Sequence, residues 1–143
     1  MSRIIGIDLG TTNSCVAALD EKGTPRVLAG ADGERTMPSV VAWTPSGEVV
    51  VGVAARRQAV TNATATIYGT KRLIGRKVNA DDVSWFARSA PFRIVAAANG
   101  DAWIRVRGDA KSPQEVASHV LRRMRASAEQ ALGEPVTRGR ATR

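Results

Sequence analysis

An internal disulfide is closed to this chain, because its 143 residues hold one cysteine, Cys15, and a bridge needs two. One histidine, His119, leaves it short of the ligand set of a structural zinc site and argues against Cys/His or Ser/His/Asp catalysis. Aromatic residues make up only 4% of the chain. Trp43, Tyr68, Trp85, Phe86, Phe92 and Trp103 are scattered rather than interleaved with cations, so no stacking platform for single-stranded nucleic acid is present. No apolar run approaches the ~20 residues of a spanning helix, and Met1-Ser2-Arg3 runs straight into a strand pattern rather than a signal peptide. The expectation is a cytoplasmic protein with no membrane partner.

What is present is ordinary for a globular protein: 43% hydrophobic and 24% charged residues, enough for one modest domain or two small lobes. Charge is the exception, with 21 Lys plus Arg against 13 Asp plus Glu and a formal net charge of +8. Most of that surplus lies beyond residue 104, in Arg105, Arg107, Lys111, the Arg122-Arg123-Arg125 cluster and Arg138, Arg140 and Arg143. A solvated helix face and a basic tail account for it better than a nucleic-acid groove.

Ile4–Gly10, Cys15–Leu19 and Arg26–Ala29 read as three strands of an antiparallel meander, joined by the turns Thr11–Ser14 and Asp20–Pro25. Ser39–Trp43 and Glu48–Val51 flank Thr44-Pro45-Ser46-Gly47, a hairpin tip. Helices are expected over Val53–Val60 and Thr66–Ile74. Phe92–Ala97 and Ala102–Arg107 surround Asn99-Gly100, the strongest short-range hairpin signal because both positions tolerate positive φ. The clearest helix starts at Ser112, a capping residue followed by Pro113 and by Glu115 to complete a capping box, and stops at Gly133. Its apolar stripe is Val116, Val120, Leu121, Met124, Ala128 and Leu132. Trp43, Trp85 and Trp103 are read as packing residues, Cys15 as a small apolar residue, and His119 as a surface partner of Glu115.

Chemistry concentrates in the first strand and its turn. Alternation puts Ile5, Ile7 and Leu9 on one face and Gly6, Asp8 and Gly10 on the other, which is cleared of bulk. A carboxylate there needs a partner, a cation or water. The following Gly10-Thr11-Thr12-Asn13 offers hydroxyls and successive backbone N–H groups, the makings of an anion nest. Phosphate oxygens need several converging donors, and a divalent cation needs an oxygen ligand nearby, which Asp8 could supply. An ordinary hairpin with Asp8 capping an amide is the bland reading of so short a string.

The longer string Ile7-Asp8-Leu9-Gly10-Thr11-Thr12-Asn13-Ser14-Cys15-Val16-Ala17 resembles the first phosphate-loop signature of the heat-shock protein 70 chaperones, the DnaK family. Thr24–Leu28, Glu34–Ser39, Arg57–Asn62, Lys71–Arg76, Asn99–Trp103 and Leu132–Val136 look like successive blocks of the same family, in order, so the resemblance covers essentially residues 2–137. It implies an α/β protein of the actin-like ATPase (ribonuclease H-like) fold. Residues 1–38 and 112–137 would form an incomplete first-lobe core, a meander plus packed helix, with 39–111 as a hairpin-and-helix insert subdomain and 138–143 a divergent basic tail. It further implies ATP or ADP with Mg2+ as cofactors. Gly10, Thr11, Thr12 and Asn13 would contact the phosphates, Asp8 would hold the magnesium through its water shell, and Lys71 would be the catalytic lysine that reaches the γ-phosphate and the attacking water. J-domain co-chaperones and nucleotide-exchange factors are the implied partners, with unfolded clients only for a full-length counterpart.

Family members are several times longer, so this chain is expected to be a truncated or frame-shifted N-terminal fragment whose independent ATPase activity is not expected. Arg138-Gly139-Arg140-Ala141-Thr142-Arg143 departs from the family pattern, and no strand is expected there. The first sheet would then stop at three strands with an unprotected edge and marginal stability. The competing reading from another class is a non-catalytic interaction module that binds co-chaperones.

Overall fold

The computed structural model describes residues 3–142; Met1, Ser2 and Arg143 lie outside them. In chain order the elements are β1 (Ile4–Leu9), β2 (Asn13–Leu19), β3 (Pro25–Val27), β4 (Met37–Pro38), β5 (Val41–Trp43), β6 (Val49–Val51), α1 (Val53–Arg56), β7 (Thr66–Ile67), α2 (Asp81–Ser89), β8 (Arg93–Ala96), β9 (Ala102–Val106), β10 (Asp109–Lys111), α3 (Pro113–Leu132) and β11 (Arg138–Thr142). The mixed α/β fold has one sheet ordered β11-β1-β2-β3, with β4 pairing β2, and two three-stranded sheets, β6-β5-β7 and β10-β9-β8.

The meander forms as its alternation dictates. Ile5, Ile7, Val16 and Ala18 are buried on one face of the main sheet, and α3 lies over that face with Val116, Val120, Met124 and Ala128 buried. The opposite face, bearing Gly6 and Asp8, is open to solvent. Ser112 caps α3 by accepting from the Glu115 N–H at 3.1 Å, Pro113 takes the first turn, and Gly133 ends the helix at φ 69°. Only this half of the capping box forms, because the Glu115 carboxylate turns to Lys111, 3.9 Å away.

The carboxyl-terminal residues correct the expectation of a tail without a strand. β11 runs parallel to β1, pairing Ile4 with Arg138 through to Asp8 with Thr142. Composition hid a period-two pattern: the small residues Gly139 and Ala141 share the face of Ile5 and Ile7, while Arg138, Arg140 and Thr142 share that of Gly6 and Asp8. A β-carbon on Gly139 would sit 3.3 Å from Ile5 Cγ1, so a side chain there needs Ile5 to give way slightly. The sheet edge therefore lies at β11 instead of β1.

Three further expectations change. Thr66–Ile74 is not a helix: Thr66 and Ile67 pair with β5 as β7, Gly69 adopts φ 67°, and only a single 3-10 turn follows at Thr70–Arg72. Apolar residues there are buried on several sides, Ile67 and Leu73 both at 0% exposure. Gly69 is also pressed against Phe86, whose Cζ would lie 2.9 Å from an added β-carbon. The helix expected over Val53–Val60 is confined to α1, and Val60 is exposed. α2 arises where no element was anticipated; it carries Asp81 and Asp82 in its first turn and buries only Val83 and Phe86.

Among the tryptophans, Trp43 is buried and Trp103 half-buried, but Trp85 is 65% exposed and packs little. His119 lies edge-on to Trp43, ring centroids 5.5 Å apart, rather than paired with Glu115. Arg107, at φ 48° the one non-glycine residue with positive φ among the described residues, sends its guanidinium to Trp43 O at 2.9 Å and Asn62 Oδ1 at 2.8 Å. That contact ties the β8–β10 sheet to the β5–β7 sheet.

Candidate functional site

The turn between β1 and β2 is closed tightly by the Leu9 and Ser14 pair. Gly10 is obligatory here, because a β-carbon would run into the Asn13 carbonyl. A third segment holds the turn from below. β4 pairs with Asn13 and Ser14, the Ser39 N–H donates to Thr12 O at 2.9 Å, and the Ser39 hydroxyl donates to Gly10 O at 2.8 Å. Ser39 Oγ also lies 2.8 Å from Ser14 Oγ, and Ser14 is 1% exposed. Both turn carbonyls are thus drawn toward Ser39. Among the described residues, nothing takes the N–H of Thr11 or Thr12, which remain available to an anion.

Asp8 is exposed on the open face of the sheet, its strand position paired with Cys15 on one side and Thr142 on the other. Among the described residues no group of three His, Cys, Asp or Glu side chains could hold a metal ion directly. A cation at Asp8 would need the rest of its oxygens from water and ligand, which is how magnesium is commonly held beside phosphates. The donor set fits Mg-nucleotide in that limited sense.

Beside the turn opens a cleft of about 400 Å³ lined by Thr11, Thr12, Arg56, Tyr68, Arg72 and Phe86 among others. Thr11 and Thr12 therefore meet the segment around Gly69–Arg72. Gly10 and Asn13 frame the turn without lining the cleft, and Asp8, exposed on the sheet face, does not line it either. Lys71 is half-buried on the Thr70–Arg72 turn, directly next to Arg72, but is not among the cleft's walls.

Sequence reasoning missed Ser14 and Ser39, which support the turn, and Arg56 and Arg72, which face the cleft. Ser39 closes one of the blocks carrying the resemblance, yet its role is set by contacts to residues 25 and 29 positions away, which no local pattern encodes. The shifted carboxylates lie elsewhere, in turns and helices away from the cleft. The Thr24 N–H and Arg26 lower Asp20, Arg76 lowers Asp82, Lys77 and Asn99 lower Asp101, and the Val136 N–H lowers Glu129. No helix among the described residues is long and apolar enough to cross a membrane.

Comparison with protein-family models gives a match over residues 4–142 to the family described as Hsp70 protein.

Proposed function

Since the chain belongs to the Hsp70 family, which carries a chaperone and ATP-binding role, we propose that it is the nucleotide-binding part of a DnaK-type chaperone and that the turn Gly10–Asn13 receives the phosphates of ATP. The observation that supports this best is the turn itself: a glycine that admits no side chain, carbonyls drawn down to Ser39, and the Thr11 and Thr12 amides left open. Such a turn presents donors to an anion without competing acceptors. Three antiparallel strands followed by a helical crossover to β11, parallel to the first, favour the actin-like (ribonuclease H-like) reading of the α/β fold. Residues 1–38 and 112–137 would be its core, with 39–111 as the insert; the tail then contributes a fourth core strand.

Within this reading Asp8 orients the water shell of the bound cation, and Thr11, Thr12 and the turn amides fix the phosphate oxygens. Bound magnesium supplies charge neutralisation on those oxygens. Lys71 is the group assigned to the transferring phosphoryl and the attacking water, where a cation offsets developing charge. Nucleotide, J-domain co-chaperones and exchange factors are the partners that go with this role.

Isothermal titration of the chain with Mg-ATP is the test. Thr12→Ala and Asp8→Asn should each weaken binding by about ten-fold, the worth of one charge-assisted contact, with the Asp8 effect vanishing when EDTA removes magnesium. Equal affinity in wild type and both variants would refute the assignment of phosphates to this turn.

A further inference from the structure

Glu115 has a basic neighbour four residues away on either side, Lys111 at the end of β10 and His119 on α3. The carboxylate is turned to the first of them, with Lys111 Nζ 3.9 Å from its Oε1. His119 sets its ring against Trp43 instead, edge-on at an interplanar angle of 89° with centroids 5.5 Å apart. Lys111 Nζ lies over the same indole, 5.5 Å from its centroid. Trp43, 7% exposed, is therefore held between an ammonium and an imidazole.

A neutral imidazole packs on an indole as one aromatic ring on another. Protonated, it becomes a second cation beside Lys111 at a partly desolvated place, with Arg122 three residues further along α3. The charged groups that bear on His119 are Arg122 and Glu115 from α3 and Lys111 from β10. β5 brings only Trp43, whose carbonyl takes the Arg107 guanidinium at 2.9 Å. Glu115 is the one anion among them. It also precedes His119 by four residues, the favoured order for a helical ion pair, whereas it follows Lys111 by four, the poorer order. The pairing that the spacing of Glu115 and His119 suggests is thus absent with the imidazole neutral and becomes available once it is charged.

We propose that Lys111, Glu115 and His119 form an acid-operated exchange at the joint between α3 and the β5–β7 sheet: His119 takes a proton from solvent, Glu115 changes partner from Lys111 to His119, and the imidazolium leaves the Trp43 edge. Arg107 ties the β8–β10 sheet to the same tryptophan, so both sheets of the 39–111 segment meet α3 at this joint and acid loosens them together. α3 stays on β1 and β2, where Val120, Met124 and Ala128 are buried. The exchange is independent of the nucleotide reading.

The test is an NMR titration of the ¹⁵N-labelled 143-residue chain from about pH 8 to about pH 5. His119 is the only histidine, so its ring protons report its own midpoint, and a Trp43→Phe spectrum identifies the Trp43 indole N–H. That signal should move with the His119 midpoint while those of Trp85 and Trp103 stay in place. Lys111→Gln frees Glu115 and should raise the midpoint. Glu115→Gln removes the incoming partner and should lower the midpoint and shrink the Trp43 displacement. Each midpoint change should be about 0.3 pH unit, the worth of one helical ion pair. A Trp43 signal that stays fixed while His119 titrates, or one midpoint common to all three chains, overturns the exchange. So does simultaneous collapse of all three indole signals at the His119 midpoint, which reports unfolding of the whole chain rather than opening of this joint.

Discussion

Replacing Ser39 by alanine should loosen the phosphate turn from beneath. The substitution removes the 2.8 Å bond to the Gly10 carbonyl and the 2.8 Å contact with Ser14 Oγ, each worth about 0.5–1.5 kcal/mol net. It also strands the Ser14 hydroxyl, which at 1% exposure has no ready access to water and carries its own desolvation cost of about 1–3 kcal/mol. Allowing for relaxation, a loss of about 2 kcal/mol is expected, which at about 2–8 °C per kcal/mol for domains of comparable size lowers the melting temperature by several degrees. Ser14→Ala alone leaves Ser39 bonded to Gly10 and should cost less. The double variant has no stranded hydroxyl, so a double-mutant cycle by urea denaturation should show coupling of about 1 kcal/mol. A Ser39→Ala variant within about 0.5 kcal/mol of wild type, or a cycle that closes additively, would refute the clamp.

Gly10→Ala forces a β-carbon onto the Asn13 carbonyl and should disrupt the turn, with a stability loss of about 3 kcal/mol or more by thermal melting and no measurable Mg-ATP binding. In β11, Gly139→Val should cost about 1–3 kcal/mol by overpacking Ile5, while Arg140→Ala should change stability by less than about 0.5 kcal/mol; equal effects in denaturant titration would mean the strand does not pair as described. Burial, followed by the nearby charge of Arg122, lowers the His119 pKa from 6.5, against a smaller opposing pull from Glu115. A depressed histidine stabilises the fold fully above its unfolded value and loses that contribution as pH falls below 6.5 toward the folded one. Acid melting curves of His119→Gln should therefore lack the part of the slope that begins below pH 6.5; an unchanged slope would count against the Trp43 packing.

The parts legible in sequence were those where local chemistry and tertiary packing agree. β1 and β2 alternate cleanly, the hairpin forms around Asn99-Gly100 although only Gly100 takes a positive φ, and Ser112 and Gly133 bracket α3. Legibility failed where burial on several sides erases periodicity, as at Ile67 and Leu73, or where a helix starts without a capping side chain and buries only two residues, as in α2. It failed at β11 because glycine and alanine do not look hydrophobic and every residue of the strand is exposed, so no apolar alternation marks it. At the site, the turn was readable because glycine and threonine act through adjacent backbone. The cleft arginines were not, since what singles out Arg56 and Arg72 from other cations is the company they keep in space.

β1 spans the amino-terminal end of the chain, yet one of its two ladders is with Arg138–Thr142. During synthesis β1 is made well before β11, so one side of its backbone stays wet until the intervening residues have been made. Pairing across such a span is slow, and a nascent chain with an open strand edge is prone to mispairing. The ladder of β1 with β11 is thus closed only after the whole intervening segment has been made.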